Sequence, residues 1–130
     1  MRRPEAGFTL IELLIVVLII GIVASIAVPK FSNGRERAYL ATMKGDLRNL
    51  AVSQEAYFYD NALYYDGPLP NADFLHDPSP GVSLTSQDIT PGGWAATANH
   101  IAIAKKCTIF LGVAPALPPA TESGEPKCEL

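Results

Sequence analysis

The sequence predicts an α+β fold in which a long, kinked N-terminal α-helix packs on a small antiparallel β-sheet. Three observations support this prediction. Phe8 to Val28 form a nearly uninterrupted apolar run, residues 30–59 carry apolar side chains at helical spacing, and Val82 to Val113 contain three short, partly alternating segments. The chain has 130 residues, which leaves room for one small domain beside the apolar helix.

The apolar run has the length of a membrane-spanning helix. At about 1.5 Å of rise per residue, Phe8 to Val28 reach roughly 31 Å, close to the thickness of a bilayer core. One carboxylate, Glu12, lies near the start of this run, where a charge is costly, so Glu12 is a candidate functional residue. The preceding flank carries Arg2 and Arg3, and basic flanks remain in the cytoplasm. We therefore expect everything after Val28 to lie outside.

Residues Gly7-Phe8-Thr9-Leu10-Ile11-Glu12-Leu13 resemble the class III signal of type IV prepilins and the related pseudopilins. The resemblance covers Gly7 to about Tyr59 well and the rest of the chain loosely. It implies a leader, residues 1–7, that prepilin peptidase removes by cutting between Gly7 and Phe8. Phe8 would then be N-methylated, and residues 8–29 would remain as the transmembrane and assembly helix of a pilin-like fold.

The resemblance also implies a role for Glu12, which would neutralise the terminal amine of a neighbouring subunit during filament assembly. Cleavage at Gly7 creates that amine only four residues from the carboxylate. Each charge is unfavourable alone in an apolar bundle, and a subunit in the wrong register leaves both unpaired. In the alternative interpretation, Thr9-Leu10-Ile11-Glu12 is a capping box that satisfies the first turn of the helix.

The second half of the long helix is predicted for residues 30–59, where one apolar stripe should face a core: Leu40, Met43, Leu47, Leu50 and Tyr57. The polar residues mostly off this stripe should face solvent or other subunits: Arg35, Glu36, Arg37, Lys44, Asp46, Arg48 and Gln54. Pro29 should kink or loosen the helix, and Gly21 weakens it. The resemblance implies that Gly21 to Pro29 can lose helical structure in a filament. The alternative, which the sequence supports equally, is a kink that neighbouring helices tolerate and that has no role in assembly.

Residues 60–130 are predicted to form a globular head. Asp60 to Pro80 should be a connecting loop, and three strands are expected at Val82–Ile89, Trp94–Ile103 and Cys107–Val113. The helix packed on this sheet should bury four large side chains: Trp94, Ile101, Ile109 and Phe110. Four acids in and beside the loop lack the close alternating spacing of a calcium site, so we expect no metal there: Asp60, Asp66, Asp73 and Asp77. The doublet Lys105-Lys106 should lie in a solvated turn.

Cys107 and Cys128 are the two cysteines of the chain, and both follow the predicted membrane segment. In the oxidising space outside the membrane they should form a disulfide. The bridge would close a loop containing Pro115 to Pro126, a segment with little capacity to fold alone. By chain-entropy estimates it contributes about 3 kcal/mol. Related pilins carry a comparable disulfide-bounded C-terminal loop.

The sequence therefore favours a structural subunit of an extracellular type IV pilus-like filament, formed by a homopolymer of this chain. Prepilin peptidase, a pilus assembly platform and the inner membrane are the expected partners before export. The alternative is a pseudopilin of a type II secretion system; major pseudopilins usually carry a tyrosine-proline segment after the helix and a calcium-binding C-terminal loop, and neither is evident here. His76 and His100 have no neighbours at catalytic spacing, so we expect no enzyme and no cofactor. The acidic head argues against nucleic-acid binding.

Overall fold

The computed structural model describes residues 7–71, 74 and 76–130. One helix, α1 (Leu10–Asn61), precedes four strands: β1 (Val82–Thr90), β2 (Gly93–His100), β3 (Ile103–Gly112) and β4 (Lys127–Cys128). The predicted α+β architecture of a long helix and a small antiparallel sheet is confirmed. Met1 to Ala6 of the predicted leader, with Arg2 and Arg3, and the loop acid Asp73 lie outside the described residues.

The chain forms two compact units. The first ends at Arg35 and, among the described residues, consists of the apolar half of α1. Helical structure continues without a break through Gly21 and Pro29, so neither residue ends the helix in the single chain. The second unit, residues 36–130, contains the rest of α1, the sheet and the core. Ala62, with φ of 57°, stops the helix by entering the left-handed region.

The second half of α1 uses the predicted stripe to cover the core. Met43, Leu47 and Leu50 are fully buried, and Leu40 and Tyr57 pack against them at the margin. Two residues assigned mainly to the outer face are instead buried: Gln54 is 0% exposed and Asp46 is 4% exposed. Both follow a core residue by three or four positions, which returns them to the buried face of the helix. Their polarity concealed this placement in the sequence.

Gln54 is tolerated in the core because it replaces a missing secondary-structure partner. Its amide Nε2 donates to the Tyr65 carbonyl oxygen at 3.1 Å, and the Tyr65 N–H donates to its Oε1 at 2.8 Å. Tyr65 lies in the irregular segment after α1, where no strand satisfies its backbone. The side chain of Gln54 therefore fixes the first part of the loop to the helix.

Replacing Gln54 by leucine should lower the free energy of unfolding by about 1 to 3 kcal/mol, because two backbone groups of Tyr65 lose their partners. Denaturant unfolding of the detergent-solubilised chain measures the loss. The exposed helical residue Asn49 offers a matched control, and Asn49→Leu should leave the midpoint nearly unchanged. Equal stability of Gln54→Leu and the parent chain would contradict this role.

The sheet is antiparallel throughout and has the order β1-β2-β3-β4. The three predicted strands are present, but β2 ends at His100 and β3 already begins at Ile103. A fourth strand, β4, was not predicted; it pairs two residues with Cys107 and Thr108 of β3. At the end of β3, Gly112 has φ of 64° and lies against the backbone of Gly92, where a side chain has no room.

The core lies between the helix stripe and one face of the sheet. Trp94 and Ile109 are fully buried there, which confirms two of the four predicted sheet residues. Phe110 is also buried, at 9% exposed, but it belongs to a second cluster with Ala95, Ala114 and Ala120, on the other face of the sheet, so its predicted burial by the helix was wrong. Ile101 is 88% exposed, so its assignment to the core was wrong. It occupies the reversal between β2 and β3, where its N–H donates to the Gly81 carbonyl oxygen and its side chain leaves the alternation of the strand.

Candidate functional site

The N-terminus of α1 is closed by reciprocal hydrogen bonds between Thr9 and Glu12. The Thr9 N–H donates to Glu12 Oε2 at 2.8 Å, and the Thr9 hydroxyl donates to the same oxygen at 2.9 Å. The Glu12 N–H in turn lies 3.3 Å from Thr9 Oγ1. This is the geometry of a capping box, with Thr9 at the N-cap and Glu12 three residues later. The alternative interpretation of Glu12 is therefore realised in the single chain.

Capping does not consume the carboxylate. Both hydrogen bonds use Oε2, and the group lies at the exposed start of the helix. A partner that approaches from outside can reach Glu12 without disturbing the helical turn behind it. The cap also fixes the orientation of the carboxylate, which reduces the side-chain entropy lost when a cation binds.

The predicted scissile bond lies just outside this cap. Gly7 and Phe8 are both exposed and precede the helix, so the peptide bond between them is not held in regular structure. A Cβ atom added at Gly7 would meet nothing within 4 Å. Glycine is thus not required at this position by the fold of the chain itself.

Behind the cap, α1 presents an apolar surface on every side. The large apolar side chains between Phe8 and Val28 are 48% to 90% exposed. By length and composition this helix is able to cross a membrane. Exposed apolar surface of this extent is unfavourable in water, so it requires lipid or the apolar helices of other chains.

Comparison with known proteins identifies the N-terminal segment. Residues 2–28 match the family model described as the prokaryotic N-terminal methylation motif. The chain carries a prepilin motif. Its homologues include type IV pilins and type II secretion core proteins. The predicted resemblance to both groups is confirmed.

Three relatives illustrate the match. Type II secretion system core protein G of Pseudomonas aeruginosa is 40% identical over 63 residues, which are 48% of this chain and 44% of that protein. The type IV major pilin protein PilA of Myxococcus xanthus is 45% identical over 60 residues, 46% of this chain and 27% of the relative. The type IV wide pilus major component PilA4 of Thermus thermophilus is 42% identical over 62 residues, which are 48% of this chain and 47% of that protein. The chain thus spans less than half the length of these relatives.

The prepilin motif and the exposed apolar helix together fit a precursor that is anchored in the inner membrane and then assembled into a filament. Processing by a prepilin peptidase follows from the motif. In this arrangement Gly7, Phe8 and Glu12 fall within six residues of one another, at the exposed start of the helix. Gly21 and Pro29 lie farther along the same helix.

The disulfide between Cys107 and Cys128 is present. The two residues are directly opposite each other in the β3–β4 pair, and both sulfur atoms face the Leu40 carbonyl oxygen of the helix, at 3.9 and 3.8 Å. Inside the closed loop, Thr108 Oγ1 donates to the Leu117 carbonyl oxygen and accepts the Ala120 N–H. The bridge therefore attaches the C-terminal segment covalently to strand β3, and its sulfur atoms lie against the helix.

The two histidines are both buried. His100 stacks on Tyr39 with 4.1 Å between ring centroids, and its Nδ1 accepts the Ala102 N–H at 3.1 Å. Burial lowers the pKa of the His76 imidazole, although the nearby carboxylates of Asp46 and Asp77 oppose the shift. The Asp46 carboxylate also holds the loop by accepting the N–H and hydroxyl of Ser79.

The prediction of a solvated turn for the doublet Lys105-Lys106 was wrong. Both residues lie within strand β3. Lys105 pairs with Glu36 of the helix at 2.6 Å, and Lys106 pairs with Glu129 at 3.8 Å. The alternation of a strand directs the two side chains to opposite faces, which separates the charges that the sequence places side by side.

Proposed function

We propose that this chain is a structural subunit of a type IV pilus-like filament. Prepilin peptidase cuts it between Gly7 and Phe8, the new terminus of Phe8 is methylated, and the assembly platform adds it to a homopolymer of the same chain. One observation carries the proposal: a helix with apolar side chains exposed on all sides begins at a prepilin motif whose acid, Glu12, is accessible. Such a helix is suited first to lipid and then to a bundle of identical helices.

In the proposed filament, Glu12 pairs with the methylated amine of Phe8 from a neighbouring subunit. The capping box supports this role, since it holds the carboxylate at the helix end before assembly. A neighbour whose amine reaches Glu12 offsets both charges inside the apolar bundle, whereas any other axial register leaves both without a partner. The charge pair thus selects the register, and Gly21 and Pro29 mark where the helix can loosen during packing.

We propose a structural and not an enzymatic role, because the named relatives are pilins and secretion core proteins. The N-terminus of the precursor is placed in the cytoplasm, with the head outside the inner membrane and the mature subunit in an extracellular fimbrium. Adhesion and motility are the general tasks of such fibres.

The second candidate is a pseudopilin, favoured by the match to type II secretion system core protein G. Both candidates use the same N-terminal processing and helix packing. They differ in where the filament ends: a pilus extends from the cell, whereas a pseudopilus serves secretion from within the envelope.

Shearing of cells that express the chain, followed by electron microscopy of the released material and mass spectrometry, separates the two candidates. A pilin predicts surface fibres composed mainly of a chain that begins at methylated Phe8. A pseudopilin predicts no sheared fibres and a loss of protein secretion when the gene is deleted. Membrane-resident chain with neither property would contradict both.

Replacing Gly7 by valine should block processing, because the resemblance to prepilins places the cut directly after this glycine. The fold should tolerate the change, since a Cβ atom at this position meets nothing within 4 Å. We expect precursor that retains residues 1–7 to accumulate in the membrane and surface fibres to be lost. Intact-mass measurement of the membrane fraction distinguishes the two forms. Gly34→Val is a matched control, since a Cβ atom there also meets nothing within 4 Å, and it should be processed normally.

A further inference from the structure

Charged side chains of the second unit divide into those with an intrachain partner and those without. The sheet lysines all have carboxylate partners: Lys105 with Glu36, Lys106 with Glu129, and Lys127 with Glu122. The basic residues of the helix in this unit differ. Among the residues that the structure describes, Arg37, Lys44 and Arg48 form no ion pair.

These three cations form one stripe. Their spacing of seven and four residues places them on the same face of α1, over about 16 Å of helix. Arg37 and Arg48 are exposed, and Lys44 is half-buried beside the groove that contains Lys127 and Glu129. We call Arg37, Lys44 and Arg48 the basic stripe.

A complementary surface lies at one end of the sheet. Gln87, Ala95 and Phe110 form a row across β1, β2 and β3, and the Phe110 carbonyl oxygen accepts the Gly124 N–H at 2.8 Å. Gly124 extends this row beyond β3; Asp88 directly follows Gln87, and Glu125 directly follows Gly124. Both are exposed, and neither forms an ion pair within the described part of the chain.

The nearest lysine in sequence, Lys127, pairs with Glu122 and not with Glu125, and the segments 84–97 and 109–126 contain no lysine or arginine. We call Asp88 and Glu125 the acidic end. The opposite end of the sheet is where the helix enters the second unit, since Glu36 pairs with Lys105 and Tyr39 stacks on His100. The basic stripe begins next to these contacts at Arg37 and continues along the helix to Lys44, which lines the groove with Lys127, and to Arg48.

We propose that the acidic end of one copy of this chain docks on the basic stripe of a second copy. Opposite charges that lack partners within the chain then find them between chains, which directs orientation and register more than it adds affinity. Two different surfaces of the same chain meet, so the contact is heterologous and repeats without closing on itself. This deepens the proposed function by naming head surfaces that align subunits in the filament.

Charge exchange between the two surfaces tests the contact. The acidic-end variant is Asp88→Asn with Glu125→Lys, since asparagine tolerates the φ of 52° at position 88. The basic-stripe variant is Arg37→Glu with Arg48→Glu. We expect each to reduce sheared fibres by about tenfold or more, and the chain that combines them to recover most of the loss. Asp60→Asn with Asp66→Lys makes the same charge change elsewhere and should leave fibre yield near that of the parent chain.

Cross-linking gives a readout that does not depend on fibres. A carbodiimide joins a lysine amine to a carboxylate in direct contact, so the full-length chain in membranes should give a dimer band in which Lys44 is linked to Asp88 or Glu125. Lys44→Gln should remove that link. If the link forms but no fibres do, the head contact holds and the filament proposal is wrong.

The head contact alone would be overturned if fibres form without the Lys44 cross-link and if neither the acidic-end variant nor the basic-stripe variant lowers fibre yield. If the combined variant is as defective as the basic-stripe variant, and the parent chain binds vesicles of anionic lipid through this stripe, the occupant is a membrane surface and the proposal is also wrong.

Discussion

Replacing Glu12 by glutamine is expected to reduce surface fibres by about a hundredfold or more while the chain remains processed and membrane-resident. Glutamine at the third helical position of a capping box still accepts the hydrogen bonds from Thr9. It removes only the negative charge, so a neighbouring amine buried in the helix bundle is left without its partner. Quantifying sheared fibres against membrane-bound chain by immunoblot measures the effect.

Thr9→Ala is the matched control for Glu12→Gln. It removes the hydroxyl that both donates to Glu12 Oε2 and caps the Glu12 N–H, but it keeps the carboxylate. Loss of the cap destabilises the first turn only modestly, so Thr9→Ala should still assemble. Fibres from Glu12→Gln together with none from Thr9→Ala would show that capping, and not the charge, is the function of this pair.

Loss of the disulfide is expected to have the largest effect on the head. Converting both Cys107 and Cys128 to alanine should lower the free energy of unfolding by about 3 kcal/mol, because the bridge closes a loop whose ends are 21 residues apart. The two-residue strand β4 has little pairing of its own to hold the C-terminal segment. Denaturant unfolding of the solubilised chain, followed by tryptophan fluorescence from buried Trp94, reports the loss.

Reductant supplies the internal control for this prediction. The parent chain should fall to the stability of the double alanine variant in reductant, whereas the variant should not respond. A parent chain whose midpoint is unchanged by complete reduction, verified by thiol labelling, would contradict the account of the bridge as the main attachment of the C-terminal segment.

The helix was predictable because its signals are periodic. A long apolar run and then a stripe of Met43, Leu47 and Leu50 specify where α1 lies and which face it buries. The burial of Gln54 and Asp46 was not predicted, because it depends on hydrogen-bond partners far along the chain, at Tyr65 and Ser79. Sequence spacing places a polar residue on a face, but it does not show a distant partner.

The limits of the sheet were less predictable for a similar reason. The reversal between His100 and Ile103 carries no glycine or proline, so the pattern gave no signal that Ile101 leaves the strand. Strand β4 is two residues long and has no period to detect; it is aligned by the covalent bond between Cys107 and Cys128. Likewise, the sequence does not show that the residues of the basic stripe lack ion-pair partners, because that depends on which side chains the fold brings close to them.

The orientation of the membrane segment rests on the motif and not on the charge balance that first suggested it. Arg2 and Arg3 precede the apolar run, but Lys30, Arg35 and Arg37 follow Val28 closely and make the outer flank the more basic one. Counting lysine and arginine near the two ends therefore opposes the proposed topology. The proposal that the N-terminus lies inside therefore rests on cleavage at the cytoplasmic side, which the resemblance to prepilins implies.

The pairing of Glu12 with a neighbouring terminal amine is tested most directly by an electron cryomicroscopy structure of the fibres. We predict that the methylated nitrogen of Phe8 in one subunit lies within ion-pairing distance, about 4 Å, of the Glu12 carboxylate in the next. Fibres in which Glu12 contacts only Thr9 of its own chain, with the Phe8 nitrogen elsewhere, would contradict the account.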